Sequence, residues 1–190
     1  MLENYIEKIT NILIERQIVK PQDKEIIIYG LNTGIELIFN IITTIILGLL
    51  FDLVIESLIF LLSFSCIRIY AGGYHCKKAI SCYFFSTGIV ILMLFVLKIT
   101  PIEYILIIST IILLFSIPIL IRFSPTETIN KPLDEDEFIY YHKKMLKNLI
   151  IEIMLIYLLF IIGGQIIAYT ISIGILISAL LVILNKLSLE

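Results

Sequence analysis

Residue types suited to nucleophilic acyl chemistry crowd into one short stretch: Arg68-Ile69-Tyr70-Ala71-Gly72-Gly73-Tyr74-His75-Cys76-Lys77-Lys78-Ala79-Ile80-Ser81-Cys82. A neutral imidazole can take a thiol proton, and neighbouring cations favour the thiolate that attacks a carbonyl carbon. His75 is the base such a reaction needs, Cys76 and Cys82 are the candidate thiols, and Arg68, Lys77 and Lys78 supply positive charge. Cys76 directly follows His75, and adjacent side chains generally diverge. Cys82 lies further on, where about 100° per residue returns it almost to the His75 face, yet a straight helix would hold the two about 10 Å apart. A hydrogen bond needs ~3 to 3.5 Å. A His75–Cys82 pair within one chain therefore requires a break in the backbone between them. Spacing alone leaves a chance placement of Cys and His in a loop as the competing reading.

Gly72 and Gly73 permit a turn that folds His75 back over the start of the next helix, with Ser81 or a nearby residue as its cap. Cys82 would then stand near that helix's N-terminus, where the dipole favours a thiolate and free amides can hold an oxyanion. The other polar candidates carry less. Cys66, in an apolar run, reads as inert packing. Cys66, His75, Cys76 and Cys82 as a metal site have poor spacing for structural zinc and two adjacent ligands, so no metal and no cofactor is expected. A transporter or channel is the alternative from another class, with Glu36 and Glu152 the main ionisable residues in apolar surroundings.

The elements that hold these residues are built for lipid. The chain is 59% hydrophobic and 16% charged, with mean hydropathy +1.06, where soluble domains average about a quarter charged. A net charge of −2 gives no reason to expect nucleic acid as a partner. Residues 1–25 mix Glu3, Glu7, Lys8, Glu15, Arg16, Lys20, Asp23, Lys24 and Glu25 and lack the basic-then-apolar layout of a cleavable signal peptide, so the start of the chain is expected to stay in place. Leu2, Tyr5, Ile6, Ile9, Ile12 and Leu13 recur at steps of three and four, which predicts an amphipathic helix in the membrane interface within residues 1–24.

Apolar segments follow at Ile26–Phe51, Leu53–Ile69, Ala79–Leu97, Ile102–Ile121, Leu149–Ile162 and Ile166–Leu184. The expected fold is all-α, a polytopic membrane helix bundle of about six hydrophobic segments forming a single domain over 1–190. Gly163-Gly164-Gln165 either separates the last two segments, kinks one long helix or turns a re-entrant pair. Short connections at Asp52–Glu56, Lys98–Pro101 and Gly163–Gln165 alternate with connections rich in Lys and Arg, so the positive-inside rule puts both termini and the loops 70–79 and 122–148 in the cytoplasm. In the second loop Asp134 can cap a helix, with Glu137 three residues on and Leu133 and Phe138 as a hydrophobic staple. Lys143, Lys144 and Lys147 would crown that helix near the headgroups.

The Arg68–Cys82 segment, the Tyr29-Gly30-Leu31 entry to the first span and the Pro125–Leu133 loop together resemble the accessory gene regulator protein B family, AgrB, over nearly the whole chain. That resemblance implies a bacterial membrane cysteine endopeptidase that processes an AgrD-like quorum-sensing propeptide. It implies His75 and Cys82 as the catalytic pair, because the family places its His seven residues after an Arg and its Cys seven further. Arg68 matches a residue associated with activity. Asn32 stands where the family usually carries Gln or Glu, with Glu36 one turn further on, and both are supporting residues under the resemblance. The family's substrate has an amphipathic helix and an acidic tail; Lys77, Lys78, Lys143, Lys144 and Lys147 are the candidates to attract that tail, while the bilayer concentrates the helix. The resemblance leaves room for a homodimer.

Overall fold

The structure is a computed structural model that describes residues 2–74, 79–126 and 133–189. Among these residues the chain is helical, without strands: α1 (Leu2–Glu15), α2 (Lys24–Phe51), α3 (Val54–Ala71), α4 (Ala79–Ile99), α5 (Ile105–Phe123), α6 (Glu135–Ile161) and α7 (Gln165–Leu189). Five of them, α2, α3, α4, α5 and α7, are long and apolar enough to cross a membrane. The protein is a multi-pass membrane helix bundle. Its packing divides into two units, Met1–Thr43 and Thr44–Glu190.

In the first unit the N-terminal helix is shorter than expected. Gln17 takes a positive φ of 57°, and the Ile18 N–H returns to the Leu13 carbonyl at 3.0 Å, closing α1 in the manner of a Schellman motif. Pro21 then opens a single 3₁₀ turn through Asp23, so residues 16–23 are a connector rather than more helix. Tyr5, Ile9 and Ile12 stay exposed on α1, as a face meant for lipid would. Lys24, the first residue of α2, pairs with Glu7 at 3.3 Å.

The second unit is organised around α7, the most buried of the spans, with 67% of its apolar window inside the protein. One core joins Ile67 and Ala71 of α3, Leu113 and Leu120 of α5, Met145, Leu149 and Ile156 of α6, and Ala168, Ile171, Ile175, Ala179 and Val182 of α7. A second core sets Val90, Met93 and Leu94 of α4 against Tyr169 and Ile173 of α7. Between helices solvated by lipid, burial of apolar area gives little net drive, so close approach and interhelical hydrogen bonds must do more. Gly174 shows how: a Cβ there would stand 2.9 Å from Ser63 Oγ. The missing side chain lets α3 and α7 close together, and the Ser63 hydroxyl donates to Glu152 Oε2 of α6 at 2.7 Å. Asn148, one turn earlier on α6, donates to the Cys66 carbonyl at 2.8 Å.

One boundary departs from the pattern in the sequence, and one expected break is found. The apolar segment from Leu149 is the second half of a 27-residue α6 that starts at Glu135, so the charged part of the 122–148 region and the apolar segment are one continuous helix. Its charges, Glu152 in the apolar half included, keep α6 out of the set of five. At residues 163–165 the chain breaks: Ile162 caps α6, Gly163 takes φ 87°, and α7 begins at Gln165. A single bent helix is excluded there, because Gly163 leaves the helical region and the Gly164 N–H turns back to the Leu159 carbonyl at 2.8 Å.

Candidate functional site

The α3–α4 connection is where the reactive residue types meet the fold. α3 runs two residues past its expected end, to Ala71, and Gly72 closes it with its N–H on the Arg68 carbonyl at 2.9 Å. Gly72 and Gly73 adopt φ of 73° and 133°, a region L side chains rarely enter. Space adds to the demand: a Cβ on Gly72 would lie 2.6 Å from Thr126 Oγ1 and 2.8 Å from the Thr126 carbonyl oxygen, and one on Gly73 would lie 3.3 Å from Leu181 Cβ.

Tyr74 is fixed on both sides of its backbone. Its N–H donates to the Leu181 carbonyl of α7 at 3.0 Å, and its carbonyl accepts from Arg68 Nη2 at 2.7 Å. The Arg68 guanidinium also lies over the Phe64 ring, 5.4 Å from its centroid, so packing on its own helix restrains the group that holds the turn. The Tyr74 ring meets Phe85 edge-on, with centroids 6.1 Å apart. Phe85 stands one turn beyond Cys82 on α4, so the last described residue before His75 packs against the helix that carries the thiol.

Cys82 sits four residues into the described part of α4, half-buried. Ser81 is not the cap, because Ala79 and Ile80 before it are already helical. The first turns of α4 are also loosely covered, with Ile80 72% and Phe84 67% exposed, before Val90, Met93 and Leu94 pack inward. His75, Cys76, Lys77 and Lys78 lie outside the described residues.

The remaining candidates are spread out. Asn32 and Glu36 are half-buried on α2 within the first unit, and the Glu36 carbonyl accepts from Asn40 Nδ2 at 2.9 Å. Lys143 and Lys147 are exposed on α6, while the Lys144 ammonium lies 5.5 Å from the Tyr140 ring centroid. Glu152, considered above as a transport residue, is buried and hydrogen-bonded between helices. Asp134 caps α6 as the sequence suggests, accepting the Glu137 N–H at 2.7 Å. The second histidine, His142, carries no sequence signal of its own, while Pro125 and Thr126 open the loop that shares in the family resemblance. The Thr126 N–H donates to the Ala71 carbonyl at 3.0 Å, and His142 Nδ1 lies 2.7 Å from the Ser124 carbonyl oxygen.

Comparison with known proteins decides the family. The profile described as "Accessory gene regulator B" matches residues 6–183. The chain belongs to the AgrB family. It is 31% identical over 189 residues to a Clostridium perfringens (strain SM101 / Type A) chain that bears the name AgrB-like protein, covering 97% of this chain and 86% of that one. A second chain, named AgrB-like protein 2, from Clostridium perfringens (strain 13 / Type A), is 32% identical over 163 residues, covering 83% and 74% of the two lengths. No solved structure matches. The turn built by Arg68, Gly72, Gly73 and Tyr74 therefore belongs to an AgrB protein, inside the matched range.

Proposed function

We propose that this AgrB protein is a membrane cysteine endopeptidase that matures an AgrD-like regulatory propeptide, with Cys82 as nucleophile and His75 as base. Family membership supports a role in processing the peptide of an accessory gene regulator system. The observation that carries the finer reading is the doubly held Tyr74, anchored by Arg68 and Leu181 and packed on Phe85, at the end of the bundle where α4 presents Cys82.

In this reading the Cys82 thiolate attacks the carbonyl carbon of one propeptide bond, and His75 takes the thiol proton and returns it to the departing amine. The oxyanion that forms in between would be met by backbone N–H groups beside Cys82. The C-terminal part of the peptide leaves, and an acyl-enzyme thioester remains. A thiol within the bound fragment then attacks the thioester, closing a thiolactone and releasing Cys82; a hydroxyl would close a lactone. Thioester exchange keeps the acyl group activated, which hydrolysis would not.

The asymmetry of Lys and Arg along the chain supports a cytoplasmic position for both termini and for this end of the bundle. Lys77, Lys78, Lys143, Lys144 and Lys147 would then face an acidic peptide tail from the same side as anionic headgroups. The test is co-expression with the partner propeptide, reading the cleaved peptide by mass for wild type, Cys82→Ser, Cys76→Ser and His75→Ala. Product is expected from wild type and Cys76→Ser alone. Normal product from Cys82→Ser would end the proposal.

A further inference from the structure

We propose that His142 is a positioning residue of the peptide-cleaving site, fixing the Gly72–Tyr74 turn through the Ser124–Thr126 segment. The inference rests on the reading of His75 and Cys82 given above, and it assigns work to the chain's second histidine. A carbonyl oxygen can only accept a hydrogen bond, so at 2.7 Å from the Ser124 oxygen the Nδ1 atom of His142 carries the proton and donates. The imidazole is held flat against Phe138, one turn back on α6, with ring planes 4° apart and centroids at 6.2 Å. Its direction is therefore set by α6 rather than by the loop.

From Ser124 the chain of contacts leads straight to the turn. Ser124 is buried, and two residues on Thr126 gives its N–H to the Ala71 carbonyl at the end of α3. Thr126 also fills the space beside Gly72, close enough that a Cβ on Gly72 would collide with it. Gly72 leads through Gly73 to Tyr74, whose N–H and carbonyl are bound by Leu181 and Arg68. His142 thus holds, through the Ser124 carbonyl, the segment whose Thr126 packs on Gly72 and bonds Ala71. Without it the Ser124 carbonyl loses its donor, the segment is free to withdraw from Ala71 and Gly72, and Tyr74 loses its backing where it meets α4. Displacements near 1 Å at a group that must meet a reacting atom can cost about a hundredfold in rate.

The experiment uses the full chain in liposomes in a Cys66→Ser, Cys76→Ser background, with two readouts: alkylation of Cys82 by iodoacetamide, and cleavage of the partner propeptide. Asn places an amide N–H close to where the Nδ1–H of His stands, while Gln, of similar polarity, carries it further out. His142→Leu and His142→Gln are expected to slow Cys82 alkylation and to lower kcat by about tenfold or more, with KM within about twofold. His142→Asn is expected to recover most of both. Equal rates for His142→Asn and His142→Gln, or a wild-type kcat in His142→Leu, would overturn the proposal. Should His142→Leu fail to fold, the Asn and Gln pair decides alone. His75→Ala in the same assay separates the two claims: if it leaves alkylation and cleavage intact, the catalytic reading itself fails. If it abolishes both while every His142 variant is normal, only the positioning role falls.

Discussion

Replacing Gly72 by Ala tests whether the turn before His75 has to take the shape described here. The backbone at Gly72 has φ 73° and ψ −149°, a region that is essentially glycine-only and costs other residues about 1–3 kcal/mol. The added Cβ would also lie 2.6 Å from Thr126 Oγ1 and 2.8 Å from the Thr126 carbonyl oxygen. The hydroxyl can swing away, but the carbonyl belongs to a backbone whose N–H is bonded to Ala71, so overpacking adds about 1–3 kcal/mol. Together these weaken the closed turn by about 2–6 kcal/mol, which at 1.4 kcal/mol per factor of ten is roughly 30-fold or more. Cleavage of the propeptide in liposomes, normalised to folded protein by helical circular dichroism, is expected to fall at least about tenfold. Adding Thr126→Ala should restore only part, because the carbonyl and the backbone strain remain. A Gly72→Ala protein with wild-type kcat and melting temperature would refute the geometry of the turn.

Other expectations follow from the same contacts. Arg68→Lys keeps the charge but gives up the planar fork that reaches the Tyr74 carbonyl, a charge-assisted bond of about 1.5–3 kcal/mol; kcat should drop about tenfold or more with KM little changed, and equal activity would reduce Arg68 to a topology signal. Glu152→Leu removes the acceptor of the buried Ser63 hydroxyl and should lower stability by about 1 kcal/mol, whereas Glu152→Gln keeps an acceptor and should cost less; identical melting shifts would contradict this. Charge reversal at Lys143, Lys144 and Lys147 should raise KM about three- to tenfold at low salt without blocking insertion, read by steady-state kinetics against a membrane-fraction assay, and unchanged KM would leave them to topology alone.

Much of the fold was legible because lipid imposes a simple rule: an apolar run of the right length must be a helix. That is why the bounds of α3 and α5 and the end of α4 fall within a few residues of the apolar runs. The rule misses α6, whose charged first half and apolar second half look like a loop and a span, although helix propensity and the Asp134 cap carry one helix through both. It misses the end of α1 as well, since the positive φ at Gln17 has no signature in a glutamine. At the site, Gly72 and Gly73 announced a turn, and Arg68 announced a cation near it. The Arg68 contact to a backbone carbonyl could not be read, because it depends on where α3 stops. The clamp through Ser124, Thr126 and His142 joins residues far apart in the chain by backbone atoms, and backbone atoms leave no residue-type pattern. The Pro125–Leu133 loop did share in the family resemblance with Arg68–Cys82, and the Thr126 to Ala71 bond gives that pairing a physical basis.

The central claim is that Cys82 forms the acyl-enzyme, and the most direct measurement is the intact mass of the protein after rapid acid quench with the propeptide. The account predicts an adduct equal to the N-terminal part of the cleaved peptide, labile to hydroxylamine, mapped to Cys82, present in Cys76→Ser and absent in Cys82→Ser. An adduct on Cys76, or continued cleavage by Cys82→Ser with no adduct, would contradict it.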